Sequence, residues 1–358
     1  MTMKPKLFVD FHIIQSVPPN CLNRDDSGSP KTAMYGGVRR ARVSSQSWKR
    51  AMRLMFKEHL NMDELSYRTV KIFDLVAEAI IKKSPELGKD AALEMAKKAL
   101  AKVKVVDKKK AGSTDALFFI SSKQAENLAE IALGSCEDEK EISSALKSDN
   151  GIDLALFGRM VATNTELNSD ASAQVAHAIS THKSENEYDY FTAIDDLSPE
   201  EHAGAGMIGT VEYNSSTLYR YATVSAHKLF ELLNNDPNVL AIAMKEFARA
   251  FIASIPDGKQ NTFAAHSIPY GVLVTLRTDR PVNMSEAFEW PIKSKGDGYV
   301  KPSAEALVKY AKGIYADFCP EPESSFIVGE PLTGLGERLP FEEMISRLGQ
   351  DVAEKVSK

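Results

Sequence analysis

Between Ser27 and Lys57 the chain contains no Asp or Glu, yet it carries Lys31, Arg39, Arg40, Arg42, Lys49, Arg50, Arg53 and Lys57, a local charge of +8. Cations left unanswered by acids hold phosphate, and Ser44, Ser45, Gln46 and Ser47 among them supply neutral donors for phosphate oxygens and sugar hydroxyls. Gly36 and Gly37 let a backbone approach a ligand closely. A helix laced by its own salt bridges would alternate acids with bases, and this segment does not. The whole chain of 358 residues sums to −5, a total that on its own argues against a polyanion binder. Removing the basic segment leaves −13 on the rest, so the information lies in the distribution of charge.

Other arrangements carry less chemistry. Gly204-Ala205-Gly206-Met207-Ile208-Gly209 has the GxGxxG spacing, but a strand pattern follows it where a dinucleotide site needs a helix, so a loop tip is expected. His177 and His182 lie five apart, on different faces of any helix, and the chain has no HExxH, GxSxG or phosphate-loop motif. Cys21, Cys136 and Cys319 are too scattered for a disulfide framework or a zinc motif. Neither a catalytic residue, nor a metal ligand set, nor a cofactor is expected. No apolar run approaches a membrane span, and MTMKPKLFVDFHII is interrupted by Asp10 and lacks a cleavage site. The reading is cytoplasmic, with no membrane partner.

The elements that must position the basic segment follow from periodicity. Leu7, Val9, Phe11 and Ile13 alternate as on a strand, and Ser16 to Gly37 reads as a long loop. Val38–Val43 reads as a short basic strand. From Ser45, Trp48, Met52 and Met55–Phe56 recur at helical spacing, with Ser44 or Ser45 as N-cap, and Lys49, Arg50 and Arg53 fall off the apolar stripe. A helix start beside cations is a ready anion site. Helices are expected over 63–100, broken at Pro85 and Gly88, then a lysine-rich link (Lys102, Lys104, Lys108, Lys109, Lys110). Strands are expected at 117–120, 152–157, 210–224 and 271–277. Helices are expected at 123–133, 171–182, 237–255, 303–318 and 341–356. Strands scattered among helices without βαβ regularity give an α+β class with a helical insertion near 60–150.

Several blocks carry a resemblance. Cys21-Leu22-Asn23-Arg24-Asp25-Asp26, Gly36-Gly37-Val38-Arg39-Arg40 and the run from Arg42 to Arg53 resemble the CasC family, the repeated backbone subunit of the type I-E Cascade CRISPR surveillance complex. Gly158-Arg159-Met160, Ala176 to His182, Phe191 to Leu197 and Tyr219-Arg220-Tyr221-Ala222 extend it in order. The resemblance implies a modified RNA-recognition (ferredoxin-like) palm over 1–60, 151–187 and 223–358. It also implies helical fingers over 61–150 and a β-hairpin thumb over 188–222. It implies a hexameric filament along the spacer of one CRISPR RNA, presenting it in segments to a target DNA strand, since in such systems base pairing reads sequence. The implied partners are the large subunit, the small subunit, the 5′-handle-binding subunit and the repeat-processing endonuclease.

Carried over by residue, Arg24, Lys31, Ser44, Gln46, Lys49 and Arg50 resemble guide-backbone contacts. Arg42 and Arg53 join them from the acid-free segment. Met160 and Phe191 resemble a wedge pair beside a displaced base, a task suited to bulky apolar side chains. The family's fingers lysines have no clear counterpart in 136–150, CEDEKEISSALKSDN, and Tyr190 stands where a tryptophan is expected. The rival reading is a metal-dependent nuclease acting on RNA or DNA, with Asp10, His12 and Asp25 or Asp26 as its candidates.

Overall fold

Odd-numbered apolar residues from Leu7 to Ile13 put one strand face into a core, and that strand is the centre of the sheet. The computed structural model describes residues 6–105, 114, 117–135, 138–193 and 207–358. The chain opens with β1 (Phe8–Asn20), β2 (Thr32–Tyr35), β3 (Val38–Val43) and α1 (Ser45–His59). An insert follows, made of β4 (Ser66–Thr69), α2 (Ile72–Lys83), α3 (Lys89–Lys102), β5 (Phe118–Ser121), α4 (Ser122–Leu133) and α5 (Glu139–Lys147). Next come α6 (Ile152–Phe157), β6 (Ala173–Val175), β7 (Ala178–Ser180), β8 (Glu187–Ala193), β9 (Met207–Ser225), α7 (Ala226–Leu232), α8 (Pro237–Ala253) and α9 (Gln260–Phe263). The last elements are β10 (Gly271–Arg277), α10 (Val300–Asp317), β11 (Ser324–Val328), β12 (Glu337–Arg338) and α11 (Phe341–Ser357).

The large sheet runs β12-β11-β10-β1-β9-β7-β3-β2, antiparallel except for β11–β12, with β6 and β8 also pairing β9. One face packs Val9, Phe11 and Ile13 against Trp48 and Phe56 of α1, Phe247 and Phe251 of α8, and Leu348 of α11. The other packs Ile14, Tyr219 and Leu273 against Leu307 of α10 and the segment around Phe288. The insert keeps its own core of Phe73, Ile80, Leu100, Ile120 and Leu128. The mixed sheet and its helices bear out the α+β class. No described helix is long and apolar enough to cross a membrane. Cys21 and Cys319 are free thiols, and Cys136 lies outside the described residues.

Four local expectations are corrected. Residues 152–157 form helix α6, because a six-residue apolar run fits either element and Asp153, buried there, bonds Arg53 and the Ser66 amide. The expected helix over 171–182 is strands β6 and β7, both paired to β9. Ala173, Val175, Ala178 and Ser180 are buried while Gln174 and His177 are exposed, a period of two that small residues disguise. The expected loop 16–37 contains the end of β1 and all of β2, and the helix expected from residue 63 begins only at Ile72, after a 3-10 turn (Met62–Glu64) and strand β4. Gly36 and Gly37, at φ of 58° and 73°, form the two-residue turn of the β2–β3 hairpin, so their left-handed backbone serves the fold.

Arg220 ties the layers together. This fully buried guanidinium sits 3.7 Å from the Trp48 ring centroid and donates to Gln15 Oε1 at 2.6 Å and to the carbonyl of Phe251. Phe251 is in the last turn of α8, where unpaired carbonyls and the helix dipole favour a cation.

Candidate nucleic-acid interface

Helix α1 is capped by Ser44, whose hydroxyl accepts from the Ser47 amide while its own N–H donates to Asn23 Oδ1 at 2.9 Å. Trp48, Ala51, Met52 and Phe56 bury one face of the helix. Gln46, Arg50, Arg53 and Lys57 follow one another every three or four residues on another face, with Lys49 beside them. That face forms one wall of an open groove of about 1060 Å³. The rest of the lining brings in Arg68 of β4, Phe119 of β5, Phe157 at the end of α6, and Gly158 to Met160 and Ser169 to Ala171 beyond it. Asp170 is the single carboxylate among the groove's described lining residues, against six cations.

Two of those cations are structural. Arg53 donates to buried Asp153 at 2.9 Å and to the Ser66 carbonyl, so it struts α1 against α6 and β4. Burial pushes the Asp153 carboxyl up, with the Arg53 charge opposing. Arg159 is buried and donates to the carbonyls of Leu167, Phe119 and Leu146, tying the insert to the rest. Burial pulls its guanidinium down to about 10. Arg50 is exposed and meets exposed Asp257 at 3.7 Å, a weak surface pair. Lys49 lies 5.6 Å from the Phe157 ring centroid, and burial pulls its ammonium down.

Met160 leads the apolar part of the groove. Gly158 turns the chain at φ 75°, where a Cβ would lie 2.7 Å from the Ser169 carbonyl oxygen. Arg159 and Ser169 exchange backbone hydrogen bonds at 2.9 Å. With the loop pinned on both sides, Met160 projects 84% exposed.

A second cationic group lies on β3 and the chain before β2. The Arg42 amide donates to the Lys31 carbonyl, and the Lys31 amide to that of Asn23. Arg42 also reaches His177. Arg24 is exposed nearby in sequence, on a loop shaped by the Asp25 carboxylate accepting from the Ser27 and Ser29 amides. The contact between Asn23 and Ser44 joins this group to the start of α1.

Of the expected site residues, Gln46, Lys49, Arg50, Arg53 and Met160 therefore meet in the groove. Arg24, Lys31 and Arg42 form the neighbouring group. Ser44 is buried with its hydroxyl committed to the helix cap. Phe191 stands elsewhere, on the β8–β9 hairpin, with its ring over Gly209. The hairpin is exposed along β8, and Tyr188, Tyr190, Met207 and Ile208 add open apolar surface. Gly204 and Gly206, Asp195–Asp196, and Lys108 to Lys110 lie outside the described residues.

Sequence reasoning missed Lys57, Arg68 and the apolar wall of Leu54, Leu117 and Phe119. Lys57 was visible as the last cation of the acid-free run. Arg68 had no local signal, because the insert folds it across from α1. Conversely, Arg40 belongs to the same run but is fully buried, donating to the carbonyls of Tyr35, Ser180 and Phe288.

The candidate nuclease residues sit apart. Asp10 and His12 are fully buried on the α10 side of the sheet, and Asp25 and Asp26 are on an exposed loop. Asp10 accepts from the Tyr221 hydroxyl and the Val282 amide; His12 Nδ1 pairs with the Tyr219 hydroxyl at 2.9 Å, and its Nε2 has no hydrogen-bond partner among the described residues. Among the described residues no three His, Cys, Asp or Glu side chains are arranged to hold a metal ion.

Burial pushes Asp10 up to about 6 and pulls His12 down to about 3. Neutral His12 thus favours the fold above pH 6.5, and that contribution is lost as pH falls toward 3. Asp10 acts oppositely, since the fold takes up its proton below about 6 and gains stability down to the ordinary 3.8. Between about pH 6.5 and 4 the two nearly cancel, each on the order of 3 kcal/mol. Asp10→Asn is therefore expected to lose stability on acidification and His12→Gln to gain it, in urea unfolding at both pH values. Parallel pH profiles for the two variants would refute the assignment.

A large mixed sheet, a helical insert with its own core, and an open groove rich in cations along one face define an α+β class of protein. The chain belongs to the family described as CT1975-like protein, which matches residues 9–348. It is similar to a chain of a solved structure described as a CRISPR RNA-guided surveillance complex, pre-nicking. The identity there is 31%, over 96% of this chain and 100% of the other, with a TM-score of 0.83. A second such chain, from a structure described as a CRISPR RNA-guided surveillance complex, shares 28% identity over 96% of this chain and 99% of its own, with a TM-score of 0.63. No curated protein matches the chain.

Proposed function

We propose that this protein is the repeated backbone subunit of a Cascade-type surveillance complex of type I-E, binding the spacer of CRISPR RNA and presenting it in segments to target DNA. The observation that carries this reading is the groove along α1, where Lys49, Arg50, Lys57 and Arg68 face an apolar wall of Phe119, Phe157 and Met160. Cations take the phosphates, and apolar side chains meet bases without reading sequence.

An RNA-recognition-like palm fits the order β10-β1-β9-β7, with α1 and α8 on one face. On this reading the insert over 61–150 is the fingers and the chain over 188–222 the thumb. Phe191 reaches RNA held by a neighbouring copy, in keeping with its distance in the fold from the groove. The subunit works in the cytoplasm in a hexameric filament with the large, small, 5′-handle-binding and repeat-processing subunits. It performs no catalysis itself, which accords with the burial of Asp10 and His12.

Co-expression with a CRISPR array tests this. The purified protein is expected to elute as a large assembly with absorbance dominated by nucleic acid. A nucleic-acid-free monomer would refute it, as would strand scission of matched DNA abolished by Asp26→Ala.

A further inference from the structure

His177 lies outside the groove, at the edge of the second cationic group, where its ring feels two cations. Arg42 Nη1 is 3.2 Å from His177 Nδ1, and Arg42 Nε donates to the Thr32 carbonyl at 3.0 Å. A guanidinium has no acceptor, so Nδ1 must present its lone pair, and the free ring is neutral with its proton on Nε2. Lys31 belongs to the same cluster through the hydrogen bond from the Arg42 amide to its carbonyl. Beside Lys31 and Arg42 is a water-sized cleft lined by Asn20, Asn23, Asn214 and Ser216. Two permanent cations and neutral side chains line the cleft, with no carboxylate among its described lining residues, and Arg42 links it to the titratable ring of His177 outside it.

We propose that His177, Arg42 and Lys31 form a phosphate site for the guide strand in which the imidazole takes up one proton from solvent as the phosphate binds, so that RNA affinity rises as pH falls. The inference rests on the guide-binding reading above. In the free protein a proton on Nδ1 would break the bond from Arg42 and add a third positive charge to the cluster. A phosphodiester anion reverses both penalties: Arg42 turns Nη1 to a phosphate oxygen while Nε keeps its hold on Thr32, and protonated Nδ1 becomes a donor to the same anion. Burial, then Arg42 and Lys31, hold the free ring below its ordinary 6.5, which leaves room for the bound ring to titrate higher. The charged groups acting on the ring are Arg42 from β3 and Lys31 ahead of β2; His177 itself lies between β6 and β7, flanked by Ala176 and Ala178.

Calorimetry with a single-stranded uridine oligonucleotide, in two buffers of different ionisation enthalpy, tests this directly. The native protein is expected to bind about tenfold more tightly at about pH 5.5 than at about pH 7.5, with an uptake averaging about half a proton per site over that range. His177→Gln is expected to bind with little pH dependence and no proton uptake. RNA binding without proton uptake in the native protein overturns the inference, as does an unchanged pH slope in His177→Gln. No RNA binding at either pH would overturn the guide-binding reading itself.

Discussion

Lys49→Glu combined with Arg50→Glu is expected to weaken RNA retention at least about a hundredfold while leaving the fold intact. Charged hydrogen bonds of the kind these side chains offer a phosphate contribute roughly 1.5–3 kcal/mol each, and reversal adds repulsion to their loss. Removing two phosphate contacts on a single strand should also flatten the salt dependence by about 1.4 log units of affinity per log unit of salt. The fold should tolerate the change. Among the described residues Arg50 pairs with exposed Asp257, and positions 49 and 50 lie in the second turn of α1, near its N-terminal end, where carboxylates do not oppose the helix dipole. Filter binding across a salt series, with thermal unfolding as control, measures both. Native affinity with a native salt slope would sink the groove assignment.

Arg220→Ala is expected to cost about 3–5 kcal/mol of stability, because buried acceptors lose their donor and an aromatic face loses its cation. Gln15 Oε1 and the end of α8 would be left facing an apolar gap, and Trp48 would lose the guanidinium that covers its ring. Arg220→Lys should recover only part of the loss, since an ammonium cannot stack and fork at once. Urea unfolding followed by tryptophan fluorescence reads the difference. A loss under about 1 kcal/mol for Arg220→Ala would show that the layers hold together without it. The variant also separates two routes to lost RNA binding, because Arg220 never reaches the groove and acts only by seating α1.

Much of this was legible in the residues. The alternation of Leu7 to Ile13, the stripe from Trp48 to Phe56 and the serine cap placed β1 and α1, because local periodicity dictates which side of a strand or helix is buried. The absence of acids between Ser27 and Lys57 marked the surface that carries the candidate site. Residues 152–157 and 171–182 were misread for a shared reason. A short apolar run and a run of small residues suit either element, and the choice fell to partners distant in sequence: Arg53 and Ser66 for α6, and β9 for β6 and β7.

Sequence by itself thus determined the charge of the candidate surface, the class of the fold and the helix that bears the groove's cations, since each depends on composition or on neighbours within a turn or two. Only the tertiary structure decided which cations are free to meet a ligand. Arg40 and Arg53 carry the same charge as Arg39 and Arg50, but packing commits the first two to carbonyls and a buried carboxylate. The same packing set Arg68 and Met160 across from Lys49, and Arg42 against His177, contacts between segments whose spacing along the chain held no sign of them.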